Sequence, residues 1–360
     1  MENGQTTRFF LGANSGAGFY SLYDDFAAGE NDFLHVLKGG PGTGKSAFMR
    51  RIGAAAESAG LAVEYILCSG DPDSLDGVYL PSRHCGWVDG TAPHAADPRC
   101  FGVTGGYIDL GAYCDTAALG KKRREIEAIS REYKQLYARA YSYLSAARAA
   151  APACRTGLIT EAEQATAIRR ALASAARELP KARKGAAPGA VSRRFASALT
   201  CQGRVFEADS ISTLCKRVYV LDNRLGLAGV FLNTLLFEAV ERGVDAILCP
   251  DPLSPATPEA LLLPSLSLGF LALGRDSALA FDPVRHVRLD ALVPSPRLRE
   301  LRPLLRGDER MQAELLASAY ESLAAAKALH DGLELLYNPH VDFPAVRARA
   351  DEEIRRVTDF

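Results

Sequence analysis

Gly39-Gly40-Pro41-Gly42-Thr43-Gly44-Lys45-Ser46 follows the apolar run Phe33-Leu34-His35-Val36-Leu37 and opens onto a helix-prone stretch, Ala47 to Ser58. The octet satisfies the G-x-x-x-x-G-K-[ST] pattern of a phosphate-binding loop, and strand–loop–helix is the setting that pattern requires. Its glycines let backbone N–H groups face inward where a Cβ would stand in the way. Lys45 has the reach for β- and γ-phosphate oxygens, the Ser46 hydroxyl is a Mg²⁺ ligand type, and the helix N-terminus adds partial positive charge. Residues 39–46 therefore read as a site for a nucleoside triphosphate with Mg²⁺. ATP is the expected nucleotide, and no Asn-Lys-x-Asp run marks a guanine pocket.

Outward from that loop, 360 residues leave room for two domains, each able to bury its own core. A content of 48% hydrophobic and 24% charged residues is ordinary for a globular chain. No apolar stretch is long and clean enough to cross a bilayer. The start, Met1-Glu2-Asn3-Gly4-Gln5, lacks the basic and apolar regions of a secretory signal, so a cytoplasmic location is expected. Eight scattered cysteines form no C-x-x-C pair, which argues for reduced thiols and against a disulfide framework or a zinc site. The net charge of −1 hides a basic region: residues 116–200 hold 17 Lys and Arg against six acidic residues, densest at Lys121-Lys122-Arg123-Arg124. That run reads either as a solvated helical face or as a docking surface for an anionic partner, nucleic acid or a membrane surface.

The chain also repeats itself. Val36-Leu37 before the loop matches Val220-Leu221. Val63-Glu64-Tyr65-Ile66-Leu67-Cys68 matches Val244-Asp245-Ala246-Ile247-Leu248-Cys249, and Gly86-Trp87-Val88 matches Gly269-Phe270-Leu271. Tyr141-Ser142-Tyr143-Leu144 resembles Tyr320-Glu321-Ser322-Leu323, so the matches stay in order with offsets from 179 (141 to 320) to 184 (36 to 220). Two copies of one α/β unit are expected, over residues 1–190 and 191–360. At the constant offset of 184, Lys45 falls on Gly229 and Ser46 on Val230, so the second loop, residues 222–230, has lost its ammonium and hydroxyl. The second half is expected not to bind Mg-nucleotide.

The decayed copy serves as an internal control. Asp71-Pro72 and Asp97-Pro98 have counterparts in Asp251-Pro252 and Asp282-Pro283, which points to turn roles. Asp89, ending the run Gly86-Trp87-Val88, falls opposite Ala272 or Leu273. An acidic residue at the end of a strand beside the phosphate loop is placed to hold the Mg²⁺ shell; a strand-end Asp-Gly turn is the competing reading. Asp73, Asp76 and His94 find no counterpart in the second copy. Either aspartate is a candidate general base at the carboxyl end of the sheet, and His94 a candidate γ-phosphate contact. Each competes with a plain solvated loop residue.

Strands alternating with helices imply parallel sheets with right-handed crossovers. From residue 116 the period changes: Ile126, Ile129, Tyr133, Leu136, Ala140, Leu144 and Ala147 form one apolar helical stripe. Breakers at 152–157 and a second helical run through Ile168, Leu172 and Leu179 read as a basic helical hairpin over 116–184. The second copy is expected to repeat this with helices at 297–306, 308–337 and 343–357. Tyr133, Tyr137, Tyr141 and Tyr143 suit either hairpin packing or a base-stacking platform.

Phe10-Leu11-Gly12-Ala13-Asn14, Gly18-Phe19-Tyr20-Ser21, the 39–46 loop, Asp71-Pro72-Asp73-Ser74-Leu75-Asp76-Gly77 and Asp89-Gly90-Thr91-Ala92-Pro93-His94 together resemble a largely uncharacterised bacterial family of tandem P-loop ATPases. The resemblance spans nearly the whole chain and implies two P-loop NTPase-like repeats, ATP and Mg²⁺. In that family the second half often carries its own P-loop, and this chain departs there. The leading expectation is an ATPase with one competent site in the N-terminal half and a scaffold or regulatory second half. Arg204 or Arg224 would then be candidates to reach the phosphates across a pseudo-twofold interface. A P-loop kinase acting on a small molecule or nucleotide, and a nucleotide-gated module binding an anionic partner, are the alternatives.

Overall fold

The loop-bearing half forms β1 (Thr6–Phe10), β2 (Gly12–Ser15), β3 (Gly18–Ser21), β4 (Phe33–Lys38), α1 (Lys45–Ser58), β5 (Val63–Leu67), β6 (Leu75–Leu80), β7 (Cys85–Asp89) and β8 (Gly105–Asp109). The helices α2 (Thr116–Lys121), α3 (Arg123–Ala150) and α4 (Glu161–Glu178) follow. The rest of the chain forms β9 (Val191–Arg193), β10 (Ser197–Thr200), β11 (Gly203–Phe206), α5 (Ala208–Leu214), β12 (Arg217–Asp222), α6 (Leu227–Glu241), β13 (Ala246–Pro250), β14 (Pro258–Leu263), β15 (Leu268–Leu273), β16 (Arg285–Val287), α7 (Ser295–Tyr337) and α8 (Phe343–Thr358). These elements come from a computed structural model, which describes residues 4–91, 97–154, 157–182, 185, 187–273 and 281–358.

Two six-stranded sheets result, in the orders β1-β5-β6-β7-β4-β8 and β9-β13-β14-β15-β12-β16. The orders are equivalent strand for strand, and the hairpins β2–β3 and β10–β11 match as well. Neither sheet is wholly parallel. β6 runs antiparallel to both β5 and β7, and β14 does the same between β13 and β15. The segments 68–74 and 81–84 are too short for the crossover of about a dozen residues that a parallel neighbour needs. Residues 12–21 form the β2–β3 hairpin.

The expected helical hairpins are replaced by an exchange. α3 lies along α7, α4 packs on α6, and α8 packs on α1. Each half thus receives its covering helix from elsewhere in the chain. The seam of α3 and α7 is antiparallel: Tyr133 meets His330 with ring centroids 5.9 Å apart, and Arg139 Nε donates to Ser322 Oγ (3.2 Å). The stripe read from α3 faces this seam, with Ala140, Leu144 and Ala147 fully buried. Tyr133, Tyr137 and Tyr141 pack there at tilted angles, with successive centroids 4.9 and 5.9 Å apart.

The break expected near residue 307 is absent. α7 runs unbroken through Pro303 and Gly307. An interior proline costs a helix about 3 kcal/mol. Leu298, Leu301 and the buried Leu305 offset it by packing with Leu158, Leu225 and Val293.

The two halves share one core. Phe9, Phe10, Ile66 and Trp87 of the first sheet belong to the same buried cluster as Phe195, Val218, Leu262 and Leu271 of the second. Phe10 and Phe195 exchange backbone hydrogen bonds of 2.9 and 2.8 Å across the junction. Beside them the Arg194 guanidinium forks onto both carboxylate oxygens of Glu64 (2.6 and 3.3 Å), and both side chains are buried.

Candidate functional site

The octet 39–46 leaves the carboxyl end of β4 and enters α1. Gly44 caps the helix in the left-handed region (φ 87°), a conformation that costs a Cβ-bearing residue energy and glycine almost nothing. Lys45 is buried, and its Nζ donates to Gly39 O and Gly40 O (both 2.9 Å) while lying 3.7 Å from Asp89 Oδ2. The Thr43 hydroxyl also donates to Gly40 O (2.9 Å). The ammonium is thus held inside the loop by carbonyl dipoles and one carboxylate. Pro41 sits half-buried at the loop's turn.

Asp89 ends β7, beside Leu37 of β4 in the parallel ladder, so strand register alone brings it to the loop. Its Oδ1 accepts from Thr91 N (2.8 Å) and Thr91 Oγ1 (2.6 Å), which leaves Oδ2 toward Lys45. The turn reading of Asp89 holds at one oxygen, and the other oxygen faces the ammonium. The Ser46 hydroxyl accepts from Leu75 N (2.9 Å) and keeps its second lone pair. A serine hydroxyl and a carboxylate oxygen form a hard-oxygen set of the kind Mg²⁺ takes, so Ser46 and Asp89 fit the ion expected from the sequence.

The remaining candidates separate. Asp76 is buried on β6 and accepts from Tyr23 Oη (2.9 Å). The β6–β7 ladder pairs Gly77 with Val88, so the next step sets Asp76 opposite Asp89. The same register in the second half pairs Ala260 with Leu271, which makes Glu259 the counterpart of Asp76. Asp76 does have a counterpart, therefore. An Asp-to-Glu change hid it. Glu259 is buried too, held by Arg204 Nη2 (2.5 Å) and Ser197 Oγ (2.7 Å). A buried carboxylate kept at this position in a half without the lysine favours a structural role for Asp76.

Asp73 is engaged by other partners: its Oδ2 accepts from Gln202 Nε2 (2.8 Å) of the second half, and its backbone carbonyl accepts from Arg50 (2.7 Å) of α1. His94 lies outside the described residues. Asp71 and Asp251 both close turns, accepting from Asp73 N (3.3 Å) and Ser254 N (2.9 Å). Arg204 and Arg224 do not reach the first loop. Arg204 is paired with Asp251 and Glu259, and Arg224 with Glu309 (2.5 and 2.9 Å).

Two groups at the site escaped the sequence reading. Lys38, the last residue of β4, donates to Gly90 O (3.0 Å) and lies 3.6 Å from Asp97. The second is the junction of α7 and α8. A Cβ at Gly40 would meet the Tyr337 ring at 2.6 Å, and one at Gly42 would meet the Asn338 amide at 2.6 Å and Glu334 Cα at 3.0 Å. No local signal in the sequence links residues 334–346 to a loop some 290 positions away, although Asn338-Pro339 is legible as a helix end.

The second loop corrects the expected alignment. Gly226 caps α6 in the left-handed region (φ 80°), as Gly44 caps α1. The helices therefore align Lys45 with Leu227 and Ser46 with Ala228, not with Gly229 and Val230, because the second loop is shorter. The loss of ammonium and hydroxyl stands on the corrected pairing. In their place the loop carries its own anion: Asp290 Oδ2 and Oδ1 accept from Arg224 N (3.3 Å) and Leu225 N (3.1 Å). Asp222 Oδ1 in turn accepts from Asp290 N (2.9 Å) and Leu289 N.

Burial, and next the charge of Asp222, push the Asp290 carboxyl up to about 6. A carboxyl raised in the folded state contributes stability that is fully present below its ordinary value near 4 and is lost as pH rises through about 6. Two units correspond to about 3 kcal/mol as an upper figure. Asp290→Asn is therefore expected to gain up to about 2–3 kcal/mol on wild type between pH 4 and pH 7.5, read from urea midpoints. Parallel pH profiles for the two proteins would rule this out.

Comparison of the chain with protein-family models, with curated proteins and with solved structures returned no match. Among the described residues, no helix is long and apolar enough to cross a membrane.

Proposed function

We propose that the chain binds Mg-ATP at residues 39–46 and hydrolyses it, with one competent site and a second half that carries no nucleotide chemistry. The observation that carries this reading is the buried Lys45 ammonium, held within a glycine-rich loop at a helix N-terminus and 3.7 Å from Asp89 Oδ2. Such a helix end favours negative charge, and the ammonium's present partners are a carboxylate and dipoles that phosphate oxygens could replace. When bound, Mg²⁺ would supply positive charge against the charge that develops on the phosphates. Ser46 and Asp89 would hold it, and Lys45 would orient the phosphates. The resemblance to tandem P-loop ATPases agrees with this reading.

Transfer to water is favoured over transfer to a small-molecule acceptor. The acceptor reading rests on the carboxylate-rich loop Asp71 to Asp76 and on the lack of a Glu after Asp89; within that loop Asp73 is tied to Gln202 and Asp76 is buried beside Tyr23. The test is equilibrium binding of Mg-ATP and phosphate release by the full chain, beside Lys45→Ala and Asp89→Ala. A wild-type chain that neither binds Mg-ATP nor releases phosphate would end the proposal.

A further inference from the structure

The competent loop is pressed against the junction of α7 and α8, an element of the other half of the chain. Three glycines of the loop face it: Gly40 faces Tyr337, Gly42 faces Asn338 and Glu334, and Gly44 faces Phe343 and Val346. The contact has an electrostatic problem. A helix C-terminus carries a partial negative charge, and here Glu334 O, which already accepts from Asn338 N, lies 3.1 Å from where a Cβ on Gly42 would stand. The Asn338 side chain resolves it. The atoms facing it are both carbonyl oxygens, so the amide is assigned with its nitrogen toward the loop, where it donates to Gly42 O (2.9 Å) and to Glu334 O (3.1 Å), one N–H₂ group bridging two acceptors.

The consequence for the loop follows from peptide geometry. A trans peptide is planar, and its C=O and N–H point opposite ways. Fixing Gly42 O outward onto Asn338 therefore fixes the Thr43 N–H toward the inside of the loop, where phosphate oxygens would lie. Gly42 has φ 68°, a left-handed conformation that glycine adopts without a steric penalty. At the decayed loop no such amide among the described residues faces the capping glycine, and the side-chain contacts of Leu225 and Gly226 are apolar. Leu225 packs with Leu158, Val293 and Leu305, and Gly226 meets Ala153.

We propose that Asn338, supplied by the C-terminal helices, is a positioning residue that orients the Gly42–Thr43 peptide of the N-terminal loop for anion binding. The competent site is then composite, and the second half acts on it through α7. One end of that helix rests on the loop and the other on Arg224 and Leu225 by way of Glu309 and Leu305. The inference rests on the nucleotide reading above, and the experiment separates the two.

Full-length wild type, Asn338→Ala and the isosteric Asn338→Asp are titrated with Mg-ATP, and hydrogen exchange of the amides at 42–44 is followed without nucleotide. One neutral hydrogen bond to a pre-ordered peptide predicts a roughly three- to ten-fold rise in Kd for Asn338→Ala. Asn338→Asp, which brings three acceptors together, should weaken binding further. Both should exchange faster at Thr43 while the thermal midpoint stays within about 3 °C of wild type. Wild-type Kd together with wild-type exchange in both variants would overturn the proposal. If wild type itself binds no Mg-ATP, the nucleotide reading falls, and unchanged exchange at Thr43 would still overturn the positioning role by itself.

Discussion

Lys45→Ala is expected to lower affinity for Mg-ATP by roughly ten- to a hundred-fold, the value of a charge-assisted hydrogen bond of about 1.5–3 kcal/mol. Phosphate release should fall by about 10²–10³-fold, because the ammonium faces charge that grows in the transition state. Asp89→Ala should separate these effects. It leaves Lys45 with Gly39 O and Gly40 O, so nucleotide affinity at low Mg²⁺ should change little while turnover is lost. The pair of variants also tests folding. The buried ammonium satisfies two loop carbonyls, and its removal leaves them without that donor. A control is therefore the thermal midpoint of each variant without nucleotide. Turnover retained in Lys45→Ala would place any activity elsewhere in the chain.

The loop and its strand were legible because backbone conformation, charge reach and helix dipole all demand particular residue types within eight positions. Asp89 was legible for a related reason, since a strand-end carboxylate is local and its register partner Leu37 adjoins the loop. The antiparallel placement of β6 was missed although the length of segment 68–74 already constrains it. The helix exchange was illegible on different grounds. The stripe on α3 says that a face is covered, and periodicity carries no information about which helix covers it. Asn338 belongs to the same class, because its meaning comes from a contact made by the far end of the chain. The counterpart of Asp76 was hidden by the Asp-to-Glu change, whereas ladder register fixes Glu259 directly.

Because the halves exchange helices and share a core, an injury at their junction should be felt by the whole molecule. Arg194→Met and Glu64→Gln are the sharpest such injuries. Each side chain is buried, one in each half, and the guanidinium engages both carboxylate oxygens. Arg194 Nη1 also donates to Arg193 O (2.8 Å), while the adjacent Arg193 grips Asp25 (2.8 and 3.1 Å), so the ion pair is anchored on both sides. Removing one member of a buried pair leaves the other charged and desolvated, at a cost of about 3–5 kcal/mol. Combining the two in the Arg194→Met/Glu64→Gln double variant should cost much less than the sum of the single effects, because no uncompensated charge remains. The coupling measured by the double-mutant cycle is therefore expected to be large and favourable. Chemical unfolding followed at Trp87, which is fully buried in the first sheet, together with far-UV circular dichroism for both sheets, reads the result. If the fold behaves as one unit, each single variant shifts both signals together. A shift confined to the Trp87 signal would mean that the second half stands without the first, and the route through α7 to the loop would then have no shared framework to act on.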